Sequence, residues 1–305
     1  MLEMMLQRIG NTIPLPAMFT KISTINPPPG RSNIVMAGMD EFIYALGGND
    51  HASSVRLSRF DRFSTLTNTW QALKPYPVTV SNPSMVALGG KIYVYGGLIT
   101  ASTAYGGDFY CYDPNKDTWT SLTPPADGTV GKVSCVMFTY GRNIYVLGGS
   151  VPPPTYQVQT MVSFNIDTGV WSNKAPYGNA LTDASSTWVG DYCYVGLGTY
   201  ANGASQNSKI KLYNPINNTW TLAVQGLAGT NRYGCAEAVF GKTIYYIGSR
   251  QPTIETFDTT SGTFTYTTSK YPNMINSYQA RSAKVGETNY IIDWANPEPI
   301  VYKWG

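Results

Sequence analysis

Short apolar and aromatic runs recur along the chain, and most of them end at glycine. After a first residue that varies, each run continues with apolar and aromatic residues, among them at least one tyrosine. The copies are FIYALGG, KIYVYGG, NIYVLGG, YCYVGLG, TIYYIGS and a degenerate NYIIDW. A continuous apolar run of this length, rich in β-branched and aromatic residues, is typical of a strand buried on both faces. The pattern therefore predicts one kind of buried strand, used six times.

The runs are evenly spaced. Their first core residues lie 49, 52, 49, 51 and 45 residues apart, at Ile43, Ile92, Ile144, Cys193, Ile244 and Asn289. A second series keeps nearly the same step, at Trp70, Trp119, Trp171, Trp220 and Phe264. Because the two series stay in register, the chain is predicted to repeat a module of about 50 residues.

Two further strands complete each module. One lies between the two series, as in DFYCYDP and KIKLYNP, and its last aromatic residue precedes the Trp or Phe by seven positions. A weaker strand precedes each core, as in SMVAL and CAEAVF. Four short strands bounded by Gly, Pro, Asn and Asp are typical of a β-propeller blade. The sequence thus predicts an all-β fold of six four-stranded blades.

A strand, a glycine pair, a tyrosine and a tryptophan at this period resemble the kelch motif, from Phe19 to Trp304. The resemblance implies a six-bladed kelch-type β-propeller. The motif departs from its pattern at 196–198, at 248–249 and at 293–294, where irregular blades are expected. The resemblance is specific for the fold and weak for function, because kelch propellers serve many functions.

The two ends of the chain predict how the ring closes. The final PIVYKWG aligns with the third strand of a blade and leaves that blade without a fourth. Phe19 lies 51 residues before Trp70, in phase with the Trp series. An N-terminal strand is therefore expected to close the last blade. The predicted organisation is a single propeller over residues 17–305, with residues 1–16 as an appendage or docking peptide.

Composition narrows the class of protein. Charged residues make up 13% of the chain, about half the usual share, and the net charge is +3 without a basic run, which argues against nucleic acid. No apolar stretch reaches the roughly 20 residues that span a bilayer. The N-terminus lacks the features of a secretory signal, which favours synthesis and folding in a cytoplasm. Four widely spaced cysteines without a CxxC motif are expected to be free thiols.

The sequence contains few of the residue sets that catalysis requires. His51 is the only histidine, so neither a copper site with two His ligands nor a typical zinc site is expected. The Asp-boxes of sialidases, a Gly-x-Ser-x-Gly turn and a phosphate-binding glycine loop are all missing from the sequence. We therefore predict no metal, no cofactor and no catalytic residue set.

Long loops are expected on one face of the propeller. The connections after the glycine pair are long in modules one to four, whereas the turns of the opposite face are short. Loops on a rigid scaffold commonly carry function, and Tyr and Arg dominate binding hot spots. The candidate contact residues in these loops are Arg56, Tyr105, Tyr156 and Tyr200. Alternatively, the tyrosines cover the apolar edge of their own blade.

A second candidate set lies 12 residues before the strand cores. Basic residues occupy this position in modules one, three and five, as Arg31, Lys132 and Arg232. The kelch resemblance implies that an Arg here reaches a ligand pocket, and it extends that role to Arg31 and Arg232. Three cations at the channel mouth would favour an acidic peptide or an anionic sugar. Alternatively, each cation pairs with a nearby carboxylate or carbonyl.

Two functional hypotheses follow. The first is a non-enzymatic binding or structural module that presents its long loops to a protein or glycan partner. Its composition resembles that of phage virion and tail-associated proteins, which are assembled in a cytoplasm. The second is a sugar-active kelch enzyme similar to sialic acid mutarotases, for which Glu237 is the best placed carboxylate. We favour the binding module because the sequence shows no catalytic set.

Overall fold

Strand pairing in the structure, a computed structural model, is antiparallel throughout the principal sheets. The residues described are 19–99, 104–126, 131–153, 155, 157–200, 205–207, 209–225, 234–248, 253–270, 280–294 and 297–304. Within this part of the chain, no helix has the length and apolarity needed to cross a bilayer.

The principal strands form six four-stranded sheets, and each sheet is one blade with strands A to D. The A strands of blades 1 to 6 are Val35–Met39, Ser84–Leu88, Val136–Tyr140, Ser185–Val189, Ala236–Phe240 and Ala280–Val285. The B strands are Phe42–Leu46, Lys91–Tyr95, Asn143–Leu147, Tyr192–Gly196, Thr243–Ile247 and Thr288–Asp293. The C strands are Phe60–Ser64, Phe109–Asp113, Met161–Asn165, Lys209–Asn214, Thr253–Asp258 and Ile300–Trp304. The D strands are Thr69–Ala72, Thr118–Leu122, Val170–Lys174, Thr219–Gln225, Thr263–Lys270 and, for blade 6, Phe19–Ile22.

The blades close into a ring around a central channel. Strand A of each blade contacts strand A of the next, and strand A of blade 6 contacts strand A of blade 1. Apolar side chains fill the layers between neighbouring blades, and the B-strand cores are the most deeply buried part of each blade. The predicted all-β propeller is therefore confirmed, and the six four-stranded sheets of the described residues are consistent with the predicted six blades.

The N-terminal strand closes the last blade, as predicted. Phe19–Ile22 pairs antiparallel with Ile300–Trp304, and Phe19 lies opposite Trp304. The two rings stack with centroids 4.7 Å apart, and Trp304 is fully buried. Residues 1–16 lie outside the described residues, so their role as a docking peptide remains a prediction.

In blades 1 to 3, the glycine pair after strand B connects one blade to the next. The second glycine donates its amide to a carbonyl of the following blade, from Gly48 to Val80 (2.8 Å) and from Gly97 to Lys132 (2.8 Å). These glycines have positive φ, and a Cβ on Gly96 would overlap the Lys132 carbonyl. Glycine is therefore needed both for the backbone conformation and for the close approach of the next blade.

The tryptophan series forms a second connection between blades. The Trp119 indole donates to the Lys74 carbonyl of blade 1 (3.0 Å), and the Lys74 amide donates to the Asp117 carboxylate (2.9 Å). The Tyr112 hydroxyl donates to the same carboxylate (2.6 Å). Blade 4 repeats this arrangement with Tyr213, Asn218, Trp220 and Ala175. The spacing between the aromatic residues in strands C and D thus reflects contact with the preceding blade.

Blades 4 and 6 lack the glycine pair after strand B, and each replaces it in a different way. In blade 4, Leu197 adopts the left-handed conformation (φ 57°) in place of the first glycine, and Gly198 follows at 78°. In blade 6, neither Asp293 nor Trp294 has a positive φ, and Trp294 is fully buried in the layer between blades 6 and 1.

The long-loop face carries the B–C connections and the segments that lead from strand D into strand A of the next blade. Short two-residue strands lie on this face. They are Arg31–Ser32, Asn49–Asp50, Val80–Ser81, Leu98–Ile99, Ala104–Tyr105, Thr199–Tyr200 and Ser205–Gln206. Pairs such as Leu98–Ile99 with Val80–Ser81 hold a loop of one blade against the segment that precedes strand A. The described parts of these loops surround the channel opening.

Candidate binding site in the central channel

The channel encloses a cavity of about 470 Å³ that is lined by residues of all six A strands. A second cavity of about 330 Å³ lies at its opening on the long-loop face, and Leu98 and Tyr105 of a B–C loop line it. Asn82, Ser134 and Asp183 line both cavities. We call the opening on the long-loop face the mouth.

A chain of backbone hydrogen bonds runs around the mouth from blade to blade. Two positions before each of the first five A strands, the chain has a residue with a left-handed φ between 51° and 60°. These residues are Asn33, Asn82, Ser134, Asp183 and Gly234. Each amide donates to the carbonyl of the preceding member, with distances of 2.9, 3.1, 3.1 and 2.7 Å. The rim of the mouth is therefore fixed by main-chain bonds between blades.

Blade 6 contributes a side chain to this rim. Arg281 Nη1 donates to the Gly234 carbonyl of blade 5 (3.0 Å), and its Nε donates to the Ile34 carbonyl of blade 1 (3.2 Å). The guanidinium thus bridges the two blades on either side of its own. Burial lowers the pKa of Arg281, and the nearby Asp183 carboxylate acts against that shift.

Asp183 provides the acidic side chain of the mouth. Burial raises the pKa of its carboxyl, and hydrogen bonds with the Ser134 and Thr182 side chains, together with the charge of Arg281, act in the opposite direction. The mouth therefore has an acid and a base whose charges compensate each other in a largely desolvated setting.

A second acid lies deeper in the channel. Glu237, in strand A of blade 5, lines the larger cavity, and burial raises its pKa to about 8. Hydrogen bonds from the Ser186 amide and the Ser185 side chain lower that pKa only in part. Its Oε2 is completely buried and has no hydrogen-bond partner among the described residues. At pH 7 this carboxyl is therefore protonated in most molecules.

The structure places the predicted Arg31 inside blade 1. The side chain is 0% exposed, and its guanidinium donates to Asp61 at 2.7 Å and to the Ala45 carbonyl at 3.2 Å. It also lies over the Trp294 ring, 4.9 Å from the centroid. Arg31 therefore pairs with a nearby carboxylate, the second of the two possibilities that the sequence left open, and it lines neither cavity. A ligand role for Arg31 would require the buried pair to open.

Lys132 is buried in a similar position in blade 3. Its ammonium donates to the Thr160 hydroxyl (3.3 Å), and its carbonyl accepts the amide of Gly97. Lys132 does not line the described cavities. The position 12 residues before a strand core thus lies at a contact between blades. Basic residues occupy it in every second module, but Arg31 and Lys132 do not lie at the mouth.

Arg56 and Tyr105 do lie on the long-loop face. Arg56 donates to the Ser81 hydroxyl (3.0 Å) from a half-buried position. Tyr105 is half-buried and forms part of the mouth. Tyr156, Arg232 and the side chain of Tyr200 lie outside the described residues, so their contact roles remain predictions.

Arg281 is the residue that our sequence analysis missed. Strand pairing aligns it with Val35, Ser84, Val136, Ser185 and Ala236 in the other blades. A charged side chain at a position that is apolar or small in every other copy is the signal that could have identified it. Among the described residues, no group of three His, Cys, Asp or Glu side chains is arranged to hold a metal ion. The four cysteines are unbridged, and two of them are buried.

Known proteins resemble the chain in sequence. The N-(sulfonatooxy)prop-2-enimidothioate sulfolyase of Thlaspi arvense is 26% identical over 251 residues, which cover 72% of this chain and 70% of that protein. Kelch-like protein 35 of Mus musculus is 31% identical over 131 residues, 43% of this chain and 22% of that protein. Alpha-scruin of Limulus polyphemus is 25% identical over 198 residues, 62% of this chain. The matched regions span about a fifth of the length of the last two proteins.

The fold is shared with a solved structure, that of YjhT. Its TM-score is 0.70 at 15% identity, over 92% of this chain and 96% of that chain. The family model described as the KLHDC2/KLHL20/DRC7 Kelch-repeats domain matches residues 17–195 and 82–292. Together with the repeated glycine pairs and tryptophans, this match shows that the chain belongs to the kelch-repeat family.

Proposed function

We propose that the protein is a non-enzymatic binding module that presents its long-loop face to a protein or glycan partner. The observation that carries the proposal is the mouth itself. Backbone hydrogen bonds between blades fix its rim, and Tyr105 and Arg56 lie in loops beside it. A rigid rim with polar and aromatic side chains suits recognition, because little conformational entropy is lost on binding.

The composition supports a more specific proposal. Few charged residues and many Thr, Asn, Gly and Tyr are typical of phage virion and tail-associated proteins. We place the protein in such an assembly, made in a cytoplasm and attached through residues 1–16. Co-purification with virions, lost on deletion of residues 1–16, would support this assignment. Its absence from purified virions would contradict it.

The binding proposal is tested by a glycan array and a pull-down with the full-length protein, followed by substitutions. Tyr105→Ala and Arg56→Ala should each weaken binding of the identified partner by roughly thirtyfold or more, because a truncated hot-spot residue costs about 2 kcal/mol or more. Lys116→Ala and Leu66→Ala, on the exposed turns of the opposite face, are the controls and should not change the affinity. A failure of both screens, or loss of binding only in the control variants, would contradict the proposal.

A second candidate function is a sugar-active enzyme similar to sialic acid mutarotases. The observation that favours it is Glu237, whose pKa of about 8 in a cavity suits a general acid or base near neutral pH. The sulfolyase relative is, by its name, an enzyme. Exchange between the anomers of sialic acid, followed by NMR, should be faster with the protein and should slow to the uncatalysed rate with Glu237→Gln. Exchange at the uncatalysed rate with the unmodified protein would contradict this function.

A further inference from the structure

The rim of the mouth carries polar side chains that border the cavities. Asn82, Ser134 and Asp183 line both cavities, Asn33 lines the smaller one, and all four residues are half-buried. Their left-handed backbone conformation is one that Asn and Asp adopt more readily than most other residues. These residues therefore have accessible surface at the mouth and lie outside the apolar layers between blades.

The main chain of the rim is already occupied by hydrogen bonds. The amides of Asn82, Ser134, Asp183 and Gly234 each donate to the carbonyl of the preceding rim residue, so the carbonyls from Asn33 to Asp183 are engaged as well. A peptide that binds as an added strand needs main-chain groups that are still unpaired. Recognition at the rim must therefore use side chains.

The charges of the mouth compensate each other. Asp183 and Arg281 are the only charged side chains among the described residues that line the smaller cavity, and their charges interact. Arg56 lies on the same face but lines neither cavity. A charged ligand group would lose its water here and find only a counter-charge that is already compensated, which costs free energy. The described part of the mouth therefore favours an uncharged ligand.

Two side chains at the mouth are available to a ligand. No described residue forms a hydrogen bond with the Asn82 amide, and this amide is not completely buried, so solvent reaches it. Tyr105 is half-buried, and its ring neither contacts another aromatic ring nor belongs to an apolar cluster of the described residues. One small sheet holds the two residues on the same side of the mouth, because Leu98 pairs with both Ser81 and Tyr105, and Asn82 follows Ser81.

We propose that the mouth binds an uncharged saccharide, which rests on the proposed function of the long-loop face and names the chemistry of its partner. Sugar hydroxyls both donate and accept hydrogen bonds, so they pair with the Asn82 amide and with the Asp183 carboxylate. The apolar face of the sugar ring packs on the Tyr105 ring. The smaller cavity, of about 330 Å³, lies within the usual range for small-molecule sites. Anionic sugars and acidic peptides are disfavoured, in contrast to the preference that three cations at the mouth would give.

The test uses the methyl glycosides of glucose, galactose and mannose, each with its uronic acid and its amino sugar as charged counterparts. NMR titration of the full-length protein gives an affinity for each sugar. We expect at least one neutral glycoside to bind more tightly than both of its charged counterparts. Equal binding of neutral and charged forms, or no binding of any neutral glycoside, would overturn the inference. Tighter binding of a uronic acid, an oligoglutamate peptide or a Ser-Asn peptide, lost in Tyr105→Ala, would also overturn it but would leave the proposed function intact.

A matched pair of substitutions assigns the binding to the mouth. Asn82→Gly removes the amide, and blade 5 has Gly234 at the same rim position, so the fold accepts glycine there. We expect this variant to bind the neutral glycoside roughly threefold to tenfold more weakly, which corresponds to the loss of one hydrogen bond. Asn68→Gly is the control, because Asn68 has a left-handed φ of 57° in a C–D turn of the opposite face, and its affinity should be unchanged. Undiminished binding by Asn82→Gly would place the sugar elsewhere and overturn the inference.

Asp183→Asn tests the role of charge compensation. Asn33 and Asn82 occupy the same rim position in other blades, so asparagine suits the left-handed backbone there. The substitution leaves the Arg281 charge uncompensated, so the affinity for the uronic acid should rise relative to that for the neutral glycoside by roughly fivefold or more. The double variant Asp183→Asn with Arg281→Gln is neutral again and should restore the original preference. An unchanged ratio of the two affinities in both variants, with melting temperatures that show a folded protein, would overturn the inference.

Discussion

Arg31 shows how the structure decides between two environments that the sequence left open for one residue. It lies just before strand A of blade 1, as its spacing indicates, but its guanidinium is completely buried against Asp61. Arg59 also contacts Asp61, at 2.9 Å, from a position that is 38% exposed. Breaking a buried ion pair destabilises the fold because it leaves an uncompensated buried charge, whereas an exposed pair contributes little to the free energy of unfolding.

Asp61→Ala is therefore expected to lower the free energy of unfolding by about 3–5 kcal/mol, because it leaves Arg31 buried without its carboxylate. Asp167→Ala is the matched control, since its pair with Arg142 is about half exposed on both sides, and a loss below about 1 kcal/mol is expected. Chemical denaturation measures both. A double variant, Arg31→Met with Asp61→Leu, should recover much of the lost stability. Equal losses in the two single variants would show that burial does not determine the contribution of the pair.

At the level of structural elements, the turns after the B strands serve as contacts between blades. In blades 1 to 3 the glycine pair combines a left-handed backbone with close approach of the next blade's carbonyl. The turns between strands A and B also contain glycines with positive φ, such as Gly141, but a Cβ there would meet open space. Gly96 and Gly141 thus share a positive φ, but only Gly96 lies close to another blade.

This difference gives a prediction with an internal control. Gly141→Ala should lower the free energy of unfolding by about 1 kcal/mol through the cost of a positive φ. Gly96→Ala should lower it by roughly 1–3 kcal/mol more, because the added methyl group overlaps the Lys132 carbonyl of blade 3. Urea unfolding of both variants measures the difference. Similar losses would mean that only the backbone conformation requires glycine after strand B.

At the level of the whole molecule, the ring depends on contact between the two ends of the chain. Phe19–Ile22 covers the outer edge of Ile300–Trp304, and the Phe19 ring stacks on Trp304. A propeller closed in this way exposes no long strand edge at the junction, and loss of the strand would expose one.

Deletion of residues 17–26 should consequently cause aggregation or a large fall in melting temperature. Deletion of residues 1–16 is the control, and we expect its melting temperature to match that of the full chain. A milder variant, Phe19→Ala, keeps the strand and should lower the melting temperature by an intermediate amount. Thermal unfolding and light scattering measure these effects. Unchanged stability after deletion of residues 17–26 would contradict the role of the N-terminal strand.

The sequence by itself determined the repeat, the four strands of each blade and the closing strand, and its prediction of six blades agrees with the six four-stranded sheets of the described residues. These features depend on local patterns, namely apolar runs, turn residues and the phase between the Trp series and the ends of the chain, and all of them are visible in one dimension. The positions of Tyr105 and Arg56 on the long-loop face were predictable for the same reason, because loop length alone assigns a segment to that face.

Only the tertiary structure decided which polar groups surround the channel. Arg31 and Lys132 are buried between or within blades, while Arg281 and Asp183, which local pattern did not single out, interact at the mouth. The physical reason is that neighbouring blades are about 50 residues apart in sequence, so the partner of a side chain depends on the rotation of one blade against the next. A one-residue change in strand A moves a side chain from one face of the blade to the other, and contact between blades selects which face borders the channel.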